Sequence, residues 1–78
     1  MGYLKRREAR RKAQDRLEAF ILEASLEAKR AGDDELACEL WDASRVMRRA
    51  IPRETWRNLA TYDEAGLRHI VALMVERR

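Results

Sequence analysis

The apolar residues of this chain recur three and four positions apart, the spacing of one face of a helix. The first such stretch runs from about residue 3 to Ala31, where Gly32 can adopt the left-handed conformation that ends a helix. Its predicted inward face consists of Ala9, Ala13, Leu17, Phe20, Ile21, Ala24, Ala28 and Ala31. Because small alanines flank one bulky cluster, a second helix can approach closely.

Two leucines of the first helix lie away from this face. Leu22 and Leu26 are about 140 to 180 degrees round the helix from Leu17, at 100 degrees per residue. Nothing else in the chain is an obvious cover for them. The pattern therefore predicts a second apolar patch that is free to contact a partner.

The segment GDDEL predicts a turn into a second helix that packs back on the first. Asp33 is the expected N-cap, while Asp34 and Glu35 suit the positive end of the helix dipole. Its expected apolar face is Leu36, Ala37, Leu40, Ala43, Met47, Ala50 and Ile51, with Trp41 at the edge. The side expected to face away from the first helix carries Arg45, Arg48 and Arg49.

The rest of the chain predicts two more helices. Pro52 ends the second helix and suits the first position of a short one, residues 52–60, which carries Trp56 and Leu59. The segment TYDE then has the form of a capping box, in which Thr61 and Glu64 cap a final helix that runs to about Glu76. Its main apolar face is expected to be Leu67, Ile70, Val71 and Met74, with Leu73 and Val75 spreading apolar character further.

These elements predict an all-α fold with one domain over residues 1–78, because no segment alternates with the period of a strand. A domain this small buries only roughly 60% of the surface that its unfolded chain exposes, so its stability needs support. Cys38 and His69 are the sole residues of their types, which excludes a disulfide or a Cys/His zinc site within one chain. We therefore expect self-association, most simply as a homodimer.

The expected location is the cytoplasm. A lone cysteine is typical of a reducing compartment, and the longest apolar run near the start is residues 20–22, too short for a signal peptide or membrane span.

The sequence contains no recognisable catalytic pattern: the glycines are isolated, His69 has no nearby nucleophile, and the acidic pairs suit helix starts. We expect neither an enzyme nor a bound metal or cofactor.

Charge is segregated along the chain. Formal charges are +5 over residues 5–16, −6 over residues 17–42 and +4 over residues 43–78. On a helical wheel the basic residues of the amino-terminal helix end, residues 3–16, point in nearly all directions, which predicts a projecting end and no groove-facing stripe. This end suits a solvated helix, a contact to an acidic protein surface, or a contact to nucleic-acid phosphates.

Two functions remain open on the sequence. The first is a non-enzymatic protein that regulates or inhibits a larger macromolecular complex by occupying its surface, by analogy with small phage and mobile-element regulators. Its expected apolar contacts are Leu22, Leu26, Trp41 and Trp56, although Trp56 is also a natural core residue. The second is a small DNA- or RNA-binding regulator. Its expected phosphate contacts are Lys5, Arg6, Arg7, Arg10, Arg11, Lys12, Arg45, Arg48, Arg49, Arg53 and Arg57.

Overall fold

Four helices make up the part of the chain that the structure describes, which confirms the all-α prediction. The computed structural model describes residues 2–76, and within that range it contains no strand. The helices are α1 (Gly2–Arg30), α2 (Asp34–Ala50), α3 (Arg53–Leu59) and α4 (Glu64–Glu76). α1 packs against each of the other three helices and forms the spine of the fold.

The turn between α1 and α2 follows the local signals of the sequence. Gly32 has a φ of 85°, a conformation that favours glycine, and its N–H donates to the carbonyl of Lys29 over 3.0 Å. The Asp33 carboxylate accepts from the N–H of Leu36 over 3.1 Å, which confirms it as the N-cap. The two helices therefore form an antiparallel hairpin.

One core unites all four helices. Its buried members are Leu17, Ile21, Leu40, Met47, Trp56, Leu59, Leu67 and Val71. Two predicted core positions are wrong, because Ala31 and Ala50 are exposed. Ala31 follows the last residue of α1, and Ala50 is the last residue of α2, so each lies where the chain is already turning away from the core.

Two serines share the buried faces with the apolar residues. Ser25 is only 8% exposed, and its hydroxyl donates to the carbonyl of Ala37 over 2.7 Å, which links α1 to α2. Ser44 is likewise buried, and its hydroxyl donates to the carbonyl of Trp41 over 2.6 Å. Both hydroxyls are satisfied, as burial of a polar group requires.

The predicted capping box at the start of α4 is wrong. The Thr61 hydroxyl donates backwards to the carbonyl of Asn58 over 2.7 Å, and the N–H of Gly66 is satisfied by the Asp63 carboxylate over 2.9 Å. The reason is that a turn extends α3, with the N–H of Thr61 donating to Asn58 and that of Tyr62 to Leu59. Asp63 therefore takes the capping position.

The molecule is elongated, with principal extents of 47 × 23 × 18 Å. α1 accounts for the long dimension, since 29 residues at 1.5 Å each span roughly 44 Å. The side chains of residues 4–8 are exposed, whereas Ala13 is buried, so only the first turns of α1 lie outside the core.

Candidate functional site

An apolar groove lies between α1 and α2, near the turn that joins them. We define it by Leu26, Ala37, Cys38 and Trp41, which line a depression of about 510 Å³. Leu26 is 57% exposed and Trp41 is 51% exposed, high values for large apolar side chains. The structure therefore brings together, on one surface, two residues that the sequence placed on different helices.

The depth of the apolar groove comes from small residues beneath the large ones. Ser25 and Ala37 meet where the helices are joined by the hydrogen bond described above, and both are buried. The charged residues at its border have both signs: Lys29, Asp34 and Asp42. Leu22, predicted to share this patch, is half-buried and does not line the groove.

A basic groove lies at the opposite end of the hairpin. We define it by Arg7, Arg10, Arg11, Arg48, Arg53 and Trp56, which with Gln14 and Ile51 line a depression of about 390 Å³. The α1 members are spaced three and four apart, so they share one helix face. Three arginines of the basic run therefore line this groove, while other basic residues of the run are exposed outside it, in line with a run that is basic all round.

Arg48 ties α2 to α1 beside the basic groove. Its Nη2 lies 2.7 Å from Asp15 Oδ1 and 2.9 Å from Glu18 Oε2, and its Nη1 donates to Gln14 Oε1 over 3.0 Å. The hydrogen bond to Glu18, and after it the one to Asp15, raises the pKa of Arg48 above its ordinary value. The prediction that Arg48 faces away from α1 is wrong, because its long side chain reaches round the edge of the helix.

Trp56 belongs to the core and lines the basic groove. It is 2% exposed, and its indole N–H is buried without a hydrogen-bond partner among the described residues. A buried donor left unpaired costs about 1 to 3 kcal/mol. Because so little of Trp56 reaches the surface, we leave it out of the apolar contact set in which the sequence placed it.

The other predicted basic contacts do not line the basic groove. The following predicted contacts are exposed outside the groove: Lys5, Arg6, Lys12, Arg45, Arg49 and Arg57. The structure thus selects a compact subset, in which residues from the start of α1 meet the end of α2 and the start of α3.

Arg68 was missed by sequence reasoning, although it connects α4 to α1. Its guanidinium stacks over the Phe20 ring at 4.3 Å, and it pairs with Glu23 of α1 at 3.3 Å and with Glu64 at 3.1 Å. The hydrogen bond to Glu64 is the main reason that the pKa of Arg68 is raised. Glu64 and Arg68 are four residues apart, a spacing that favours an ion pair on one helix face, and this was the sequence signal that could have identified Arg68.

The side chains that could act as a nucleophile, a base or a metal ligand do not lie together. Cys38 is exposed in the apolar groove, whereas His69 is exposed on α4 and lines neither groove. Within residues 2–76, no three side chains of the His, Cys, Asp or Glu type are grouped to hold a metal ion. In the same range, no helix has the length and apolar character that crossing a membrane requires.

Comparisons with protein-family models, with curated proteins and with solved structures found no match to this chain. The two grooves are therefore interpreted from their own chemistry.

Proposed function

We propose that this chain is a non-enzymatic interaction protein that regulates or inhibits a larger macromolecular complex by covering part of its surface. The observation that carries the proposal is the pairing of Leu26 and Trp41 in one groove, each more than half exposed. Tryptophan is enriched among the residues that dominate binding energy, particularly where neighbouring side chains exclude water around it.

The energetics favour a contact at this groove. Removing the remaining exposed apolar surface of Leu26 and Trp41 from water stabilises a complex by roughly 1 to 3 kcal/mol per side chain, at about 25 cal/mol per Å². The flanking Lys29, Asp34 and Asp42 add little affinity at a solvated rim, but they restrict which partner and orientation fit. The groove thus combines an apolar centre with a polar border, the usual anatomy of an interface.

A non-catalytic role is supported by the separation of the candidate reactive groups. Cys38 lies on α2 and His69 on α4, and they line no common groove. A thiol and an imidazole on separate surfaces do not form the nucleophile and base pair on which nucleophilic catalysis by cysteine depends. The exposed apolar groove is accordingly the surface to which we assign the function.

Self-association is measured first, because a second copy that occupies the groove would compete with a larger partner for the same surface. Light scattering at micromolar concentration should give about twice the 9.2 kDa chain mass if copies meet through the groove. Leu26→Glu should weaken this association at least tenfold, because it places a charge in a desolvated contact. Leu4→Glu is the matched control, since Leu4 is an exposed leucine of the same helix that lies outside the groove.

If the wild-type chain is monomeric, the second arm is capture of partners from the native cell with and without nuclease. The captured partner is then purified, and its binding to each variant is measured. If the proposal is right, the partner binds wild type and Leu4→Glu equally, and it binds Leu26→Glu and Trp41→Ala much more weakly. Partner binding that is lost on nuclease treatment, or that ignores both groove substitutions, would contradict the proposed function.

A further inference from the structure

The basic groove carries positive charge that the described chain does not neutralise. Its lining contains five arginines and no acidic residue. Arg48 is held by Asp15 and Glu18, but no ion pair formed within residues 2–76 involves the other four. Those four are Arg7, Arg10, Arg11 and Arg53. A concave surface with one sign of charge concentrates counter-ions of the opposite sign.

A second observation concerns Trp56, one of the residues that line the groove. The buried indole N–H of Trp56 has no partner among the described residues. Buried donors in folded proteins are nearly always paired, so an unpaired one can donate to an acceptor that reaches it. The lining of one groove therefore includes a residue with an unpaired buried donor and four arginines that form no ion pair within residues 2–76.

We propose that the basic groove binds phosphate groups of a nucleic-acid backbone. Arg7, Arg10, Arg11 and Arg53 supply the charge, and the indole N–H of Trp56 donates a hydrogen bond to a phosphate oxygen. Guanidinium groups suit this ligand because their parallel N–H groups match two oxygens of one phosphate. The proposal concerns different residues from those of the apolar groove, so each fails or succeeds without the other.

The amount of charge favours a backbone over a single phosphate ion. One phosphate carries a charge of at most about −2, whereas four unpaired arginines offer twice that. Arg7 and Arg11 are four residues apart on α1, which separates them by roughly 6 Å along the helix axis. Arginines spread in this way can contact successive phosphates, each of which releases counter-ions on binding.

The groove offers little that would recognise particular bases. Gln14 is of a residue type that reads adenine edges, but its Oε1 already accepts from Arg48. The remaining polar groups are guanidinium groups and the indole N–H, which in this arrangement act on phosphate oxygens. Binding should therefore depend only weakly on nucleotide sequence.

Access to the indole N–H requires a side-chain rearrangement, because that atom is closed off from solvent in the free protein. The arginine side chains of the groove lining have several rotatable bonds, so they can change conformation on binding while the helices stay in place. The resonance of the Trp56 indole N–H should therefore report directly on phosphate entry.

The first test follows that resonance in the ¹⁵N-labelled full chain. The chain has two tryptophans, so Trp41→Phe identifies which indole signal belongs to Trp56. Titration with inorganic phosphate, with a DNA duplex or with single-stranded RNA should shift the Trp56 signal and leave that of Trp41 in place. Sodium chloride at matched ionic strength is the reference and should shift neither signal.

The second test compares two triple variants that remove the same charge. Arg7→Gln with Arg11→Gln and Arg53→Gln alters the groove, whereas Arg6→Gln with Arg45→Gln and Arg57→Gln alters exposed arginines outside it. The groove variant should bind the duplex at least tenfold more weakly than the matched control. Its plot of log K against log salt should be shallower by about 0.9 for each phosphate that the variant no longer neutralises.

Trp56→Phe tests the indole N–H separately, since it keeps an aromatic ring in the core. Once circular dichroism shows a native fold, duplex binding should be weakened by about fivefold, a change typical of removing one hydrogen bond. If Trp56→Phe does not fold, the decisive comparison is the indole signal of the wild type with that of the groove triple variant. That signal should respond to phosphate only in the wild type.

Three results would overturn the proposal. One is a Trp56 indole signal that responds to neither phosphate nor nucleic acid. Another is an equal loss of duplex binding in the two triple variants, which would mean that the charge acts diffusely. The third is a response to inorganic phosphate without one to duplex or single strand, which would assign the groove to a free phosphate and remove the nucleic-acid backbone as its ligand.

Discussion

The apolar and basic grooves lie at opposite ends of the same helical hairpin, and each is lined by one of the two tryptophans. Trp41 is 51% exposed in the apolar groove, whereas Trp56 is 2% exposed in the basic groove. The role of each tryptophan therefore depends on whether other helices bury its side chain. Trp41 contributes to a surface, and Trp56 contributes to the stability of the fold.

The two grooves also differ in what surrounds them. Charges of both signs border the apolar groove, whereas those that line the basic groove are all positive. Salt should therefore weaken binding at the basic groove steeply and binding at the apolar groove only slightly, since screening acts on net charge. Three stability comparisons sharpen the contrast between the two regions, beginning with the one that has the largest expected effect.

The largest difference is expected between the two tryptophans themselves. Trp56→Ala should lower the free energy of unfolding by about 3 to 5 kcal/mol, since it empties a core position shared by several helices. Trp41→Ala should lower it by less than about 1 kcal/mol, because half of the side chain is already in water. Urea denaturation followed by circular dichroism measures both, and similar values would contradict this contrast.

A smaller effect is expected for the base of the apolar groove. Ser25→Ala removes the hydrogen bond to the carbonyl of Ala37 and should lower the free energy of unfolding by about 0.5 to 1.5 kcal/mol. Thermal denaturation against wild type gives the value. Ala19→Ser is a useful control, since it adds the same hydroxyl at an exposed position of α1 and should change stability by less than about 0.5 kcal/mol.

The smallest effect is expected at the edge of the basic groove. Arg48→Met should lower the free energy of unfolding by about 0.2 to 1 kcal/mol, because the contacts to Asp15 and Glu18 are half-exposed. The loss should shrink at high salt, as measured by denaturation with urea at two sodium chloride concentrations. A loss above about 2 kcal/mol would contradict this prediction, because it would mean that the contacts of Arg48 stabilise the fold much more than exposed ion pairs do.

The features that the sequence predicted well are those that depend on near neighbours. Gly32 and Asp33 could be placed because a helix end and the next helix start are decided within a few residues. Ser25 and Ser44 follow the spacing of the buried faces, but a polar hydroxyl gives no apolar signal from which their burial could be predicted. Thr61 was misassigned because Asp63 also suits a cap, and the extra turn after α3 decides between them.

The features that could not be predicted depend on how the helices are positioned against one another. Arg48 lies off the apolar face on a helical wheel, and only the register of α2 on α1 brings it to Asp15 and Glu18. The basic groove needs, in addition, the direction in which α3 leaves α2, since this carries Arg53 to the α1 arginines. Leu26 and Trp41 were each predicted as exposed, but their adjacency again follows from helix register.

The short turn at residues 31–33 has a consequence for the speed of folding. It joins the two longest helices, so the largest helix pair of the molecule forms between neighbours in the chain. Closing so short a loop costs little entropy, and helical proteins dominated by such local pairs typically fold in microseconds to milliseconds. The hairpin can thus assemble before α4 arrives, which leaves α1 only briefly uncovered and limits the time available for aggregation.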